Sequence, residues 1–145
     1  VYNKPFTQLC YEKIFLPLEI GFPIWGCDPM GYCTAASELS LSVEEMNRLG
    51  ILFLNNGVYK GKRIISEAYV KACSTTQIKT NEDHWGDYSY QFWMTEGEGY
   101  RADGAFGQIT FIWPKYNLTL SFQRPEDDNL GRVLEILREE VLSKL

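Results

Sequence analysis

The sequence predicts an α+β fold, an antiparallel sheet of about three strands packed by helices. Three observations carry that expectation. Capped, helical-period apolar segments occupy the first half of the chain. Aromatic and β-branched runs then follow one another at 88–94, 107–113 and 118–123, separated by short turns. A last stripe of helical period closes the chain. Consecutive strands with no helix between them make an antiparallel meander, not alternating parallel units.

Taken in order, residues 1–20 are amphipathic, and "CYEKIFLPLEI" reads as helix until Pro17. Proline lacks an N–H and restricts the residue before it, so the helix should end near Leu16. The stretch "GFPIWGCDPMGYCTAASEL" (21–39) is rich in Gly and Pro and has no period. It predicts a long ordered loop pinned by Phe22, Trp25 and Tyr32. In "LSVEEM", Ser42 and Glu45 have the spacing of a capping box, with Leu41 and Met46 placed for a hydrophobic staple. Val43, Met46, Leu49, Gly50, Phe53 and Leu54 form one stripe behind them. The helix should stop at Asn55–Asn56, with Gly57 as the left-handed cap.

Gly61 marks a turn, and Ser66 caps a second helix, "EAYVKACS". Residues 75–87 read as an exposed polar loop, and "GEG" at 97–99 as a turn. The alternation in "GQITFIW" places Ile109, Phe111 and Trp113 on one sheet face. Asp128 or Asn129 should cap the last helix, whose face of Leu130, Val133, Leu134, Leu137 and Val141 would lie across the meander. The 145 residues have the size of one domain, 1–145, and 45% hydrophobic content is enough for a core.

Charge and motifs narrow the function classes. A net charge of −5 argues against nucleic acid and anionic membranes as partners. No apolar run has the length of a membrane span, and "VYNKPFTQLC" lacks the charged leader and apolar block of a signal peptide. The four cysteines, Cys10, Cys27, Cys33 and Cys73, include no C-x-x-C pair, and the single His84 is distant in sequence, so no metal or other cofactor is expected. Cys27 and Cys33 would bridge in an exported chain. The favoured reading is four reduced, mostly buried thiols in a cytoplasmic one.

A nucleophilic serine or cysteine needs a neighbouring base. His84, between Asp83 and Asp87, reads as an exposed loop residue. No serine has lysine three positions on, and the spacing of Thr76 with Lys79 reads as chance. The carboxylates Glu44/Glu45 and Glu126/Asp127/Asp128 sit at predicted helix starts, where they complement the dipole; Glu139/Glu140 reads as a solvated surface. The aromatics Tyr88, Tyr90, Phe92 and Trp93 alternate along their run, so half would enter the core and half could line a groove.

In sequence order, these pieces resemble the β-lactamase-related serine hydrolases, which include class C β-lactamases, penicillin-binding-protein-like peptidases and related esterases. "KIFLPLEI" resembles their F-x-P-L-G-M segment. "LSLSVEEMNRLGILFLNNGVYKGKRIISEAYVKAC" resembles a capped helix followed by N-G-G-x-x-x-G-x-x-I-L-S and another helix. "YSYQFWM" resembles their Y-G-Y-G-W-W strand, and "DGAFGQITFIWPKYNLTLSF" their G-x-x-G-Q strand, proline turn and final strand. The likeness covers roughly 14–123 and the closing helix.

The resemblance implies a partial β-lactamase/transpeptidase-like fold and, in the whole protein, hydrolysis of an amide or ester through an acyl-serine. The family's S-x-x-K nucleophile has no counterpart in this chain, and adjacent Tyr2 and Asn3 do not make its Y-x-N element. The third element, K-T-G or H-x-G on an edge strand, falls on Ala102, Asp103 and Gly104. The N–H of Ala105 would then be the oxyanion donor. Ala102, where the family often carries Lys or His, can neither bind a substrate carboxylate nor relay a proton. Ala102, Gly107, Gln108 and Tyr90 are the expected substrate-side residues. Three readings follow: the C-terminal part of a serine hydrolase acting on a small or peptide-like substrate, a non-catalytic binding module, or a piece that pairs with a separate N-terminal segment. Each leaves one sheet edge bare, inviting a homodimer or a covering strand.

Overall fold

A computed structural model describes residues 2–35, 37–80, 86–105, 107–124 and 130–145. The expected roles of His84, Asp83, the Glu126/Asp127/Asp128 run and the Asp128 or Asn129 cap fall outside these residues.

Helix α1 (Phe6–Cys10) continues through a π turn at Tyr11–Phe15 and a 3-10 turn at Leu16–Leu18. Pro17 therefore does not stop the chain at Leu16; it falls at the start of the tighter turn, where a missing N–H removes no helical bond. The stop is at Glu19, left-handed at φ 60°. Glu19 N–H donates to Leu16 O at 3.0 Å and Ile20 N–H to Phe15 O at 2.9 Å, the paired bonds of a Schellman cap. Phe15 and Ile20, joined by that bond, are both in the core. Arg48 donates to the Glu19 carbonyl and Lys60 to its carboxylate, so a residue strained by its Cβ is held from two other elements.

The loop that follows is anchored by β1 (Ile24–Trp25) paired with β2 (Leu39–Ser40). Trp25 pins it, as expected, with ring contacts to Phe6 and Phe15, and Phe22 reaches Tyr11. Cys27 and Cys33 are disulfide-bonded, which corrects the expectation of four reduced thiols. Their backbones pair across a bridge, so the fold brings the sulfurs together whatever the sequence spacing suggests. Cys10 and Cys73 are free.

Helix α2 (Val43–Leu54) opens with the full capping box: Ser42 Oγ accepts from Glu45 N–H at 3.2 Å, and the Glu45 carboxylate accepts from Ser42 N–H at 2.8 Å. At its end the left-handed C′ residue is Asn56, φ 52°, with Gly57 following at φ 86°. Gly57 N–H donates to Leu52 O and Asn56 N–H to Phe53 O. The cap therefore lies one residue earlier than the glycine suggests, because asparagine tolerates this backbone. The buried surface is also wider than one stripe. Leu49, Ile51 and Leu52 face Phe15, Leu18 and Ile20, while Phe53 and Leu54 face Cys73, Phe92 and Tyr100. Gly50 lies between, against Thr110 and Thr119 of the sheet.

A hairpin, β3 (Val58–Tyr59) with β4 (Lys62–Arg63), turns at Lys60–Gly61 and leads to α3 (Glu67–Cys73), capped by Ser66 as the sequence predicts. The sheet then forms from β5 (Trp93–Thr95), β6 (Gly99–Gly104), β7 (Gln108–Trp113) and β8 (Leu118–Phe122), in that order and antiparallel throughout. There are four strands where three were expected. The stretch 88–94 is mostly a tight turn, with Gln91 at φ 63° and Ser89 N–H donating to Phe92 O, and only its end enters β5. The strand that residue patterning did not mark is β6, whose end the family resemblance places on an edge strand at Ala102–Gly104.

Strand alternation divides the sheet cleanly. Ile109, Phe111 and Trp113 pack under α4 (Leu130–Ile136) and its continuation, with Leu137, Leu134 and Val141. Thr110 and Ile112 face the other way, toward α2. On that side Asn47 Oδ1 accepts hydrogen bonds from Thr119 and Ser121, so the helix is fixed in register by polar contacts as well as by apolar ones.

Candidate functional site

The β6–β7 hairpin gathers most of the residues singled out from the sequence. Ala102, Asp103 and Gly104 end β6, Ala105 is exposed in the turn, and Gln108 opens β7 opposite Gly104. Gly107 N–H donates to Gly104 O at 3.2 Å and closes the turn. Gly107 is left-handed at φ 78°, and a Cβ there would come 2.2 Å from Arg124 Cγ, so both backbone and neighbour demand glycine. Its carbonyl accepts from Arg124 N–H, tying the turn to the segment after β8.

Strand β5 pairs only with Gly99–Arg101. Among the described residues, Ala102, Asp103 and Gly104 have a strand partner on the β7 side alone. Among the described residues the strand is therefore internal at its start and an edge at its end, with one backbone margin of 102–104 unpaired. No described residue accepts from the Ala105 N–H.

Side-chain directions separate the candidates. Ala102 packs at the rim of the cluster formed by Cys73, Phe92, Tyr100 and Ile112. Asp103 lies opposite Ile109 and Arg101 opposite Phe111, so both side chains share the α4 face. There Arg101 Nε donates to Asp103 Oδ2 at 3.0 Å, with side chains 1% and 7% exposed. Arg101 also donates to the Met94 carbonyl. Burial pulls the Arg101 guanidinium below its ordinary pKa, and its carboxylate partner opposes that shift. The Asp103 side chain thus holds the strand together on the far face from Ala102 and Gly104.

Tyr90 stands apart from the hairpin, 52% exposed, in the turn before β5. Its ring centroid is 6.3 Å from that of Tyr69 on α3, a residue that no sequence signal singles out. Burial raises the Tyr69 phenol, with Cys73 adding to the shift, and burial likewise raises the Cys73 thiol. Cys73 is fully buried and poorly suited to nucleophilic attack. The Ser89 hydroxyl donates to Ala72 O, joining the Tyr90 turn to α3.

Among the described residues no serine hydroxyl is hydrogen-bonded to a lysine or histidine side chain, Ser74 Oγ donating only to the Lys71 backbone carbonyl, and no group of three metal-ligating side chains occurs. No described helix is long and apolar enough to cross a membrane. An open depression of about 540 Å³ is lined by Tyr2, Asn3, Lys4, Pro5, Phe6 and Leu9, none of them from the hairpin.

This arrangement of an antiparallel sheet between α2 and the C-terminal helix is part of a β-lactamase-like fold. A solved structure from Bacillus anthracis, provisionally named a 6-aminohexanoate-dimer hydrolase, superposes with a TM-score of 0.63 at 23% identity. The match covers 83% of this chain but 34% of that one, so this chain spans about a third of the neighbour's length. At that identity the likeness establishes the fold alone. No family model matches the chain, and no curated protein matches it in sequence.

Proposed function

We propose that this chain supplies one wall of a serine-hydrolase site and that elements outside it supply the nucleophile. The Ala105 N–H is the oxyanion donor, the open margin of Ala102–Gly104 receives the substrate backbone, and Gly107 with Gln108 shapes the turn. Tyr90 and Tyr69 form a half-exposed aromatic pair apart from the hairpin. The observation that carries the reading is the unaccepted amide at the open end of β6, within a fold whose neighbour is named as a hydrolase. That name points to a substrate joined by an amide bond, in keeping with an amide or ester as the bond attacked.

The experiment is incubation of the 145-residue chain with a chromogenic cephalosporin and a short aryl ester. The expected result is no turnover above buffer and no acylated serine by mass spectrometry. Stoichiometric burst acylation of any serine in this chain would overturn the assignment of the nucleophile elsewhere. A second reading, a non-catalytic binding module, draws on Ala102, which brings no basic side chain to the position where the resembled family often has one. Non-covalent binding of an ester or amide analogue that shifts the Ala105 amide resonance favours the oxyanion role; binding that leaves it unmoved favours the module.

A further inference from the structure

Cys27 and Cys33 close the tip of the 21–39 loop, and the hydrolase reading makes no use of them. Cys27 is exposed and Cys33 half-buried, so the bond is open to solvent. Inside it, Asp28 organises the tip: its carboxylate accepts from Met30 N–H and Tyr32 N–H, both at 2.9 Å, and its own N–H donates to Tyr32 O. Met30 and Tyr32 are thereby held outward, 79% and 69% exposed. At its base the loop is tied by Phe22 on Tyr11 and by the β1–β2 pair, and nearer the bond by a few backbone hydrogen bonds among the described residues. Thr34 N–H donates to Gly26 O, Gly26 N–H to Glu38 O, and β1 and β2 share only two residue pairs.

One of the remaining ties reaches the core. The Trp25 indole N–H donates to Thr34 O at 3.0 Å and to Ser37 O at 3.2 Å, both on the far side of the clasp. The same ring lies 5.5 Å from Phe6 and 6.4 Å from Phe15, centroid to centroid. Whatever moves the Thr34 side of the loop therefore moves acceptors of a tryptophan seated on α1.

We propose that the Cys27–Cys33 bond is a thiol-exchangeable clasp that sets the order of this loop and the seating of Trp25. An external dithiol is the reductant. Its thiolate attacks the exposed Cys27 sulfur, forming a mixed disulfide, and Cys33 leaves as a thiolate that takes up a proton. The second thiol of the reductant displaces Cys27, which is protonated in turn, and the reductant departs as its own disulfide. Two electrons and two protons pass to the protein. Cys73 is buried with a raised pKa and Cys10 is partly buried with a raised pKa, so neither competes as the responsive thiol.

The test follows the chain in buffered dithiothreitol against untreated protein. The expected result is a gain of two hydrogens by mass and alkylation of Cys27 and Cys33 under conditions that spare Cys73. Amides of 28–34 should exchange about tenfold faster with solvent, as for a locally opened segment. The Trp25 indole resonance should shift, and oxidised glutathione should reverse all three changes. The double substitution Cys27→Ser/Cys33→Ser should reproduce the loosened state without reductant. Two results overturn the proposal: Cys27 and Cys33 remaining free thiols in the presence of oxidised glutathione, or reduction that leaves both amide exchange and the Trp25 resonance unchanged.

Discussion

Replacing Asp103 with alanine leaves the Arg101 guanidinium inside the sheet–helix interface without its carboxylate. The pair is separated by 3.0 Å with side chains 1% and 7% exposed. At that distance and an effective dielectric of about 20, the attraction is about 5–6 kcal/mol. Desolvation of both groups offsets most of it, so the intact pair contributes little net stability. Removing one partner is different, because the remaining charge keeps its desolvation cost. Arg101 keeps other partners, the Met94 carbonyl among them, so Asp103→Ala should destabilise the chain by about 1.5–3 kcal/mol, the cost of a lost charge-assisted hydrogen bond, a sizeable part of the roughly 5–15 kcal/mol typical of a domain. Arg101→Met/Asp103→Leu removes both charges and should lie within about 1 kcal/mol of the parent. Urea unfolding followed by far-ultraviolet circular dichroism, at unchanged m-value, measures both. A loss under about 1 kcal/mol for Asp103→Ala, or a double variant as damaged as the single one, would refute the reasoning.

Other expectations follow from packing and capping. Gly50→Ala should lower stability by about 1–3 kcal/mol despite alanine's better helix propensity, since its Cβ would meet Thr110 Cγ2 at 2.8 Å; a gain in Tm would show that α2 can retreat from the sheet. Gly107→Ala should broaden the Ala105 and Gln108 amide resonances, because both φ 78° and the Arg124 side chain oppose a Cβ. Ser42→Ala should cost about 1 kcal/mol by thermal unfolding at neutral pH. Hydrogen bonding from the Ser42 backbone holds the Glu45 carboxyl below the usual carboxylate range. Its contribution is therefore present above the unfolded-state pKa and fades as pH falls through the lowered folded-state value. The stability gap between parent and Glu45→Ala should narrow over that acid window, and a gap that is constant with pH would contradict the capping role. The outer edge of β8 has no strand partner among the described residues, so light scattering should detect self-association as concentration rises; a strict monomer at several hundred micromolar would argue that the edge is protected.

Much of the fold was legible because its signals are local. Ser42 with Glu45, Ser66 before α3 and the glycine turn at Gly61 each act within a few residues, and each forms as read. The alternation of Ile109, Phe111 and Trp113 predicts the face under the C-terminal helix for the same reason. Strand β6 was hidden by its composition. "GYRADG" has two glycines and two charges, and burial of that face goes with the pairing of Arg101 to Asp103 and to the Met94 carbonyl. The aromatic run at 88–94 misled in the opposite direction: its side chains suit a strand, but Gln91 turns the backbone. The Cys27–Cys33 pair was legible from its short separation but its oxidised state was not, and the Tyr69–Tyr90 contact depends on tertiary approach that spacing does not encode. At the candidate site Gly107 was legible as a turn glycine, Gly104 and Gln108 entered through the family resemblance, and the far-face position of the Asp103 side chain became visible only once β6 had a register.

The meander and α2 also differ in how far the chain must travel to make them. The sheet's three connections are three or four residues long, while Asn47 meets Thr119 and Ser121 across 72 and 74 positions. Closing the longer loop carries roughly 2–3 kcal/mol more entropic cost than closing a four-residue one. The hairpins can therefore zip one after another before the helix arrives, as short-range contacts favour rapid assembly. Docking of α2, through one asparagine and one glycine pressed against the threonines, is then a late event that checks the register of β7 and β8. A sheet shifted by one residue would turn Thr110, Thr119 and Ser121 to the opposite face, and the helix would find no hydroxyls to bind.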